Sequence, residues 1–281
     1  MSNRNSQAAK SAARERIRAE REREKKRARL RRQLVVAGGV LGVLVIAGGI
    51  GYAVMKANEP TGWEAAKEAK LVRPAHTQGK NGTEIVIGDK SAKDTLEVFE
   101  DIRCPACAAF EQSTGPVLLK DIDDGRYKAR FTMYAFIDDM GGGEGSKNAL
   151  SALGAALDKS PEAFLHYKEA LYSLKNHPEE SVDTYAKDSA LLKVAGQVPE
   201  LKGDAKFERA VKDGTYDRWA MEMAGLFGRK GVKGTPTFMH GDKKLTMAPI
   251  PQQQMTQAQY NKLAQANFKK MIDKEFGPAE K

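Results

Sequence analysis

The spacing of apolar residues separates a hydrophobic segment near the beginning of the chain from a mixed pattern that runs from about residue 82 to residue 277. In the mixed region, short runs of β-branched and aromatic residues bounded by turn residues predict strands. These runs span 84–88, 95–100, 129–137, 237–240 and 243–247. The last two flank Gly241-Asp242 and therefore predict a β-hairpin.

Between residues 139 and 232 the apolar residues recur every three or four positions, which predicts amphipathic helices. The stripes are Leu150, Leu153 and Leu157; Phe164, Tyr167, Leu171 and Leu174; and Trp219, Met223, Leu226 and Phe227. A further stripe, Ala264, Phe268, Met271 and Ile272, predicts a closing helix. We interpret these positions as core, expect a helix capped at Ser146, and expect 139–232 to be a helical insertion between two strands.

Residues 34–55 contain no charged side chain and predict one transmembrane helix. At about 1.5 Å per residue, this length reaches slightly beyond a hydrocarbon core of roughly 30 Å. A cleaved signal peptide is the competing interpretation, but its leader would be unusually long and no clear small-x-small cleavage site follows. We therefore expect an uncleaved signal anchor at 34–55. Gly38 and Gly42 leave dimerisation of the anchor open.

The positive charge lies in residues 1–33, which hold 13 Lys and Arg against 4 Glu, whereas the whole chain carries +9. The remainder is therefore neutral. This tail has no aromatic residue for base stacking, so we expect no nucleic-acid partner and instead contact with the lipid bilayer. The positive-inside rule predicts a cytoplasmic tail at the cell membrane and places the rest of the chain in an extracytoplasmic, disulfide-permissive compartment.

The segment 56–81 is predicted to be a linker, with a short helical stretch near Trp63. The segment 82–277 is long enough for one sizeable core. Its order of predicted strands and helices indicates a single α/β domain.

Cys104 and Cys107, the two cysteines of the chain, form a Cys-Pro-Ala-Cys motif between a predicted strand and a predicted helix. Residues three apart share one helix face, so the pair is able to form a disulfide. A loop this short stabilises little as a crosslink, which favours a redox role. Because a helix N-terminus stabilises a thiolate, we expect Cys104 to be the exposed nucleophile of low pKa and Cys107 the more buried resolving thiol.

A second motif, Gly234-Thr235-Pro236-Thr237-Phe238, precedes the predicted hairpin. Together with Glu100-Asp101-Ile102-Arg103 and the cysteine motif, it gives the chain a resemblance to the DsbA-like branch of the thioredoxin superfamily, of the membrane-anchored actinobacterial type. The resemblance implies an α/β thioredoxin-like fold with an inserted helical domain over 82–277, preceded by one transmembrane helix.

The resemblance further implies that the chain is a thiol:disulfide oxidoreductase that introduces disulfides into exported cysteine-containing proteins. It implies a cis-proline at Pro236, and substrate peptides that bind the backbone of Thr235 beside Pro105 and Ala106. No cofactor is expected beyond the redox-active Cys104–Cys107 disulfide, and a membrane reoxidase or electron donor is the expected redox partner.

Two positions depart from the pattern of this family. Val98 stands where many relatives have a buried acid that relays a proton to the resolving thiol, and Glu100, Asp101 or a water is left as its substitute. Ala106 stands where the strongest oxidant has a histidine, so we expect an intermediate reduction potential, and a reductase or isomerase stays open.

Two other classes of function stay open on the sequence. A zinc site at the cysteines would require two further ligands, but His76, His166, His177 and His240 are scattered and favour no metal site. A tethered binding module with an inert structural disulfide is the other alternative.

Overall fold

The computed structural model describes residues 62–251 and 255–279. The predicted tail and the predicted transmembrane segment lie outside the described residues. Within the described ranges, no helix has the length and apolar character needed to cross a membrane.

Five strands form one mixed sheet in the order β1-β3-β2-β4-β5. Their bounds are Ile85–Ile87 (β1), Thr95–Asp101 (β2), Lys128–Tyr134 (β3), Thr237–His240 (β4) and Lys243–Leu245 (β5). The central pair β2 and β3 is parallel, in a register that pairs Val98 with Phe131. The other neighbouring strands pair antiparallel. This arrangement confirms the thioredoxin-like α/β fold.

Nine α-helices lie within the described ranges. Their bounds are Gly62–Glu68 (α1), Pro105–Asp123 (α2), Phe136–Gly141 (α3), Gly145–Lys159 (α4), Pro161–Tyr172 (α5), Asp188–Ala195 (α6), Ala205–Lys212 (α7), Asp217–Ala224 (α8) and Gln257–Phe276 (α9). Short 3₁₀ segments lie at Lys80–Gly82, Thr184–Ala186 and Arg229–Gly231. Six of the helices, α3 to α8, lie between β3 and β4 and form the predicted helical insertion.

Alternation along β2 gives the sheet two different faces. Leu96 and Val98 pack into the main core with α2, α5 and α9, whereas Phe99 belongs to a smaller cluster with Tyr134, Val232 and Met239. The cysteine-bearing helix α2 therefore packs on the face that Val98 occupies. The next residue on that face is Glu100.

Most of the predicted apolar stripes are buried, but their ends differ. Leu174 is 77% exposed because α5 ends at Tyr172, and Phe227 is exposed beyond the end of α8. The strand predicted over 129–137 ends at Tyr134, and the chain enters α3 at Phe136. A run of apolar residues does not by itself mark where a strand yields to a helix.

The predicted linker over 56–81 is wrong in part, because the compact unit begins at Gly62. Trp63 and Ala66 on α1 are buried in the main core, and α1 packs against α8. Farther along this segment, Ala75 donates its N–H to Asp158 at 3.0 Å. Residues 62–81 are thus a folded part of the domain.

Candidate active site

The two cysteines occupy the first turn of α2. Cys104 has an extended backbone (φ −71°, ψ 119°) and precedes the helix, with Pro105 in the first turn. A proline is tolerated there because the first N–H groups of a helix have no partner within it. The Cys104 carbonyl accepts the Ala108 N–H at 3.1 Å and starts the helix. The strand-to-helix junction predicted for the motif is therefore present.

The proline motif lies against this helix start. The Thr235–Pro236 peptide bond is cis, in agreement with the expectation for Pro236. Cys104 Sγ lies 3.5 Å from the carbonyl oxygen of Thr235, to which the thiol donates. Antiparallel pairing of β4 with β2, with Thr237 opposite Phe99, brings together two motifs that are far apart along the chain.

Both cysteines are free thiols, and both are buried. Cys104 is 6% exposed, so the prediction of an exposed nucleophile is wrong for the side chain as a whole. The Thr235 loop covers the sulfur, while Pro105 and Ala106 beside it are exposed. A substrate that approaches the site therefore contacts exposed Pro105 and Ala106 before it reaches the partly covered sulfur of Cys104.

The pKa of Cys104 is lowered to about 6, chiefly because the Cys107 thiol donates a hydrogen bond to its sulfur. Burial opposes this shift, whereas the side-chain hydroxyl of Thr235 and the backbone N–H groups of Cys107 and Ala106 support it. These donors point at the sulfur because it stands at the open start of a helix. The site thus stabilises the Cys104 thiolate.

Cys107 has the opposite environment. Burial raises the pKa of its thiol well above the ordinary value, and the hydrogen bond to Cys104 and the charge of Glu100 raise it further. A low pKa at Cys104 and a high pKa at Cys107 are the environments expected of an attacking and a resolving thiol, respectively.

Glu100 belongs to a buried set of charges that we call the Glu100 cluster, formed by Glu100, Glu111 and Lys168. Lys168 Nζ lies 3.0 Å from Glu100 Oε2 and 2.6 Å from Glu111 Oε1. All three side chains are at most 5% exposed. Lys168 also lies 5.0 Å from the ring centre of Phe131. Two carboxylates therefore share one ammonium group.

Burial and repulsion from Glu111 raise the pKa of Glu100 to about 8, against the attraction of Lys168. Its Oε1 has no hydrogen-bond partner within the described residues. Glu100 lies two residues after Val98, on the same face of β2. Of the three substitutes that the sequence left for the missing acid, Glu100 is the one whose charge acts on Cys107.

Asp101 faces the other side of the sheet and belongs to a second set, the Asp101 cluster, formed by Asp101, Arg103, Asp138 and Ser146. Asp101 accepts from Arg103 N at 3.0 Å and from Ser146 Oγ at 2.6 Å, and it also accepts from the N–H of Ile137. Arg103 Nη1 binds Asp138 at 2.7 Å.

The Asp101 cluster also corrects the predicted cap at Ser146. Helix α4 begins at Gly145, and the N–H groups of Ser146 and Lys147 donate to Asp138 at 2.9 Å. The Ser146 hydroxyl is engaged by Asp101 instead. Sequence position suggested a serine cap, but a carboxylate from the preceding helix takes that role.

The sequence assigned no role to Lys168 or Glu111. Glu111 lies one helical turn beyond Cys107, a spacing that places it on the same side of α2. Lys168 lies within the stripe of Phe164, Tyr167 and Leu171, and a lysine beside such a stripe ordinarily reaches solvent. Local sequence therefore gave a weak signal for Glu111 and none for Lys168.

Three of the four histidines have partners other than the two sulfurs. His166 contacts Glu200, His240 contacts Glu275, and His177 Nε2 lies 2.9 Å from the carbonyl oxygen of Ile102. In the part of the chain that the structure describes, no group of three or more His, Cys, Asp and Glu side chains is arranged to hold a metal ion.

A family model described as Thioredoxin matches residues 80–274. Among curated proteins, the chain is 26% identical over 159 residues to Disulfide bond formation protein D of Bacillus subtilis (strain 168), a match covering 56% of this chain and 68% of that protein.

Two solved structures have the same fold. The reduced disulfide bond oxidoreductase DsbG of Mycobacterium tuberculosis aligns with a TM-score of 0.56 and 22% identity, over 71% of this chain and 90% of that one. Oxidised BdbD from Bacillus subtilis aligns with a TM-score of 0.53 and 22% identity, over 73% and 99% of the two chains.

Proposed function

We propose that this chain, which belongs to the thioredoxin family, introduces disulfide bonds into exported proteins by thiol–disulfide exchange at Cys104 and Cys107. It is a DsbA-like thiol:disulfide oxidoreductase. The observation that carries the finer proposal is the opposite environment of the two sulfurs. Cys104 has a pKa lowered to about 6 and is stabilised as a thiolate above that pH, whereas Cys107 beside Glu100 is held as a thiol.

The reaction starts from the oxidised pair. A substrate thiolate attacks Cys104 Sγ, the bond to Cys107 breaks, and the Cys107 sulfur takes a proton from the carboxyl of Glu100. A second substrate thiolate then attacks the substrate sulfur of the mixed disulfide and releases the Cys104 thiolate. Two electrons have moved from two substrate thiolates to the enzyme, which now holds two reduced cysteines.

The stability of the Cys104 thiolate favours electron flow from substrate thiols to the enzyme. At pH 7, a thiol with a pKa near 6 is about nine-tenths ionised, which stabilises the reduced enzyme by roughly 1.4 kcal/mol relative to an un-ionised thiol. For two electrons this corresponds to about 30 mV towards the oxidising side. The effect supports an oxidase of intermediate potential rather than an extreme one.

Substrate binding is proposed at the loop beside the sulfurs. An extended peptide pairs with the backbone of Thr235, while exposed Pro105 and Ala106 bound the opposite side of Cys104. Main-chain pairing is insensitive to side chains, so many exported proteins fit the same surface.

The cellular setting is part of the proposal. A signal anchor at 34–55 and a basic tail at 1–33 would hold the enzyme in the cell membrane, with residues from 56 onward outside the cytoplasm. Contact with lipid follows from the anchor. Continued turnover requires a membrane reoxidase that withdraws two electrons from the Cys104–Cys107 pair.

The proposal is tested by trapping. In the Cys107→Ser variant the resolving thiol is lost, so mixed disulfides between Cys104 and exported proteins should accumulate in cells. A reducing agent should cleave them. The Cys104→Ser/Cys107→Ser double variant is the matched control and should trap nothing. Equal amounts of adduct in both variants would refute exchange at Cys104.

Direction is tested separately by equilibrating the purified full-length chain with glutathione buffers. We expect a reduction potential between about −270 and −120 mV, on the oxidising side of a thioredoxin. A potential at or below the thioredoxin value would instead support a reductase. A pair that resists reduction altogether would support a structural disulfide in a binding module.

A further inference from the structure

A cavity of about 280 Å³ lies on the face of the sheet opposite to the cysteine-bearing helix. Its floor is formed by Phe99 and Tyr134, whose rings stack at 5.9 Å, and Leu226 adds an apolar wall. A concave site with an apolar floor and a few convergent polar groups is the usual form of a small-molecule pocket. The cavity plays no part in the exchange reaction described above.

The charged groups that line the cavity are unequal in number. The cations are Lys80, Arg130, Arg229 and Lys230, and the carboxylates are Glu84 and Glu97. Glu97 is satisfied by Lys230, whose Nζ lies 2.7 Å from both of its oxygens. The cavity therefore keeps an excess of positive charge after its closest ion pair is formed.

Among the described residues, Arg130 is the cation of this cavity that has a buried donor without a partner. Its Nη1 and Nη2 lie 3.7 and 3.8 Å from carboxylate oxygens of Glu97 and Glu84, too far for hydrogen bonds. Its Nε is buried and has no partner within residues 62–251 and 255–279. Arg130 thus forms two long ion pairs, whereas Arg229 and Lys80 form none with the described residues. A guanidinium presents paired N–H donors that match a carboxylate.

We propose that this cavity binds a small organic carboxylate with an aromatic or branched apolar body. The carboxylate receives hydrogen bonds from Arg130 and is attracted by Arg229 and Lys80, while the apolar body lies on Phe99 and Tyr134. A cation is disfavoured by the same charges. A bare inorganic anion leaves the aromatic floor uncovered and binds more weakly.

The position of the cavity links it to the redox site. Phe99 lies on β2, which leads to Cys104, and Arg229 and Lys230 lie shortly before Thr235 and Pro236 on the chain. Lys230 has a left-handed backbone (φ 58°) and is held by buried Glu97. A ligand at Arg229 would therefore contact the segment that enters the cis-proline loop.

The experiment uses 4-fluorobenzoate as the probe and ligand-detected fluorine NMR on the full-length chain in detergent micelles. We expect saturable binding of 4-fluorobenzoate, at least about 10-fold tighter than that of 4-fluorobenzyl alcohol, which has the same ring without the charge. Inorganic phosphate should compete only weakly. Equal binding of the acid and the alcohol, or full competition by phosphate at equal concentration, would overturn the proposal.

Two variants locate the binding. Arg130→Gln should weaken the binding of 4-fluorobenzoate by about 10-fold. Leu226→Trp should block binding by filling the cavity from the apolar wall. Arg209→Gln, at an exposed arginine on α7, is the matched control and should bind as the unmodified chain does. The thermal unfolding midpoint of each variant reports its fold. Unchanged binding in a folded Arg130→Gln or Leu226→Trp protein would show that the probe binds elsewhere.

Discussion

Glu100 and Asp101 are adjacent at the end of β2, and both are fully buried, yet their surroundings differ in kind. Asp101 accepts hydrogen bonds on both oxygens from two N–H groups and a hydroxyl. Glu100 meets one ammonium at Oε2 and no partner at Oε1 among the described residues. Burial raises the pKa of both carboxyls, but the three donors hold that of Asp101 to about 6, whereas that of Glu100 rises to about 8. A carboxylate with saturated oxygens fixes structure, whereas one with a free oxygen and the higher pKa is able to exchange a proton. The predictions below test this division between the Glu100 cluster and the Asp101 cluster.

The largest expected effect follows loss of Lys168. The Lys168→Met change leaves Glu100 and Glu111 buried without a counter-charge, which should cost about 4 kcal/mol of unfolding free energy near pH 8. The folded-state pKa of Glu100, which already lies above its unfolded value, then rises further, so the folded chain binds more protons and the loss should shrink towards pH 5. Urea unfolding at both pH values measures the difference.

A matched control for this variant is Lys175→Met, at an exposed lysine whose partner is Gln197. Its cost should stay below about 0.5 kcal/mol at either pH. A pH-independent loss in Lys168→Met would indicate lost packing and would remove the electrostatic account of the Glu100 cluster.

The second effect concerns the Asp101 cluster. Asp138→Asn leaves buried Arg103 with Asp183, 3.3 Å away, as its remaining carboxylate and weakens the cap of α4, for an expected loss of about 3 kcal/mol in unfolding free energy. Asp139→Asn alters a side chain that is 70% exposed, and its expected effect is below about 0.5 kcal/mol. Chemical denaturation of the two variants compares adjacent carboxylates directly.

The third effect is kinetic. Glu100→Gln removes the carboxyl that we propose exchanges a proton with Cys107, so exchange with a model peptide should slow by about 10-fold at pH 7. In the unmodified chain, oxidation of the reduced pair should accelerate as pH rises past about 8, where Glu100 ionises. The variant should lose that inflection in a stopped-flow pH profile.

Asp101→Asn is the comparison that sharpens this prediction, because Asp101 is buried in the same strand but faces away from Cys107. It should lower stability and keep the pH inflection of the exchange rate. If both variants lost the inflection, the two clusters would not be separate in function.

The smallest expected effect is that of Ser146→Ala. It removes the 2.6 Å hydrogen bond to Asp101 and should lower the unfolding free energy by about 1 kcal/mol. Because the hydroxyl does not contact either sulfur, the reduction potential should stay within about 10 mV of the unmodified value. A larger shift in potential would tie the Asp101 cluster to the chemistry.

Much of the fold followed from local pattern. The hairpin strands, the helix beginning at the cysteine motif and the buried stripes on α4, α5 and α9 agree with the apolar spacing. The ends of β3 at Tyr134 and of α5 at Tyr172 could not be predicted, because the apolar pattern continues beyond both residues. The burial of Trp63 required its contact with α8, which local sequence does not encode.

The sequence by itself indicated thiol–disulfide chemistry, because thiols at Cys104 and Cys107 within one helical turn are sufficient to form a disulfide. The resemblance carried by Thr235-Pro236 then supplied the second wall of the site. Tertiary structure alone decided which acid lies close enough for its charge to act on Cys107 and how far Cys104 is covered. Both depend on side chains brought together from distant parts of the chain, above all Lys168 from the helical insertion, whose burial is stabilised only after α5 packs on the sheet.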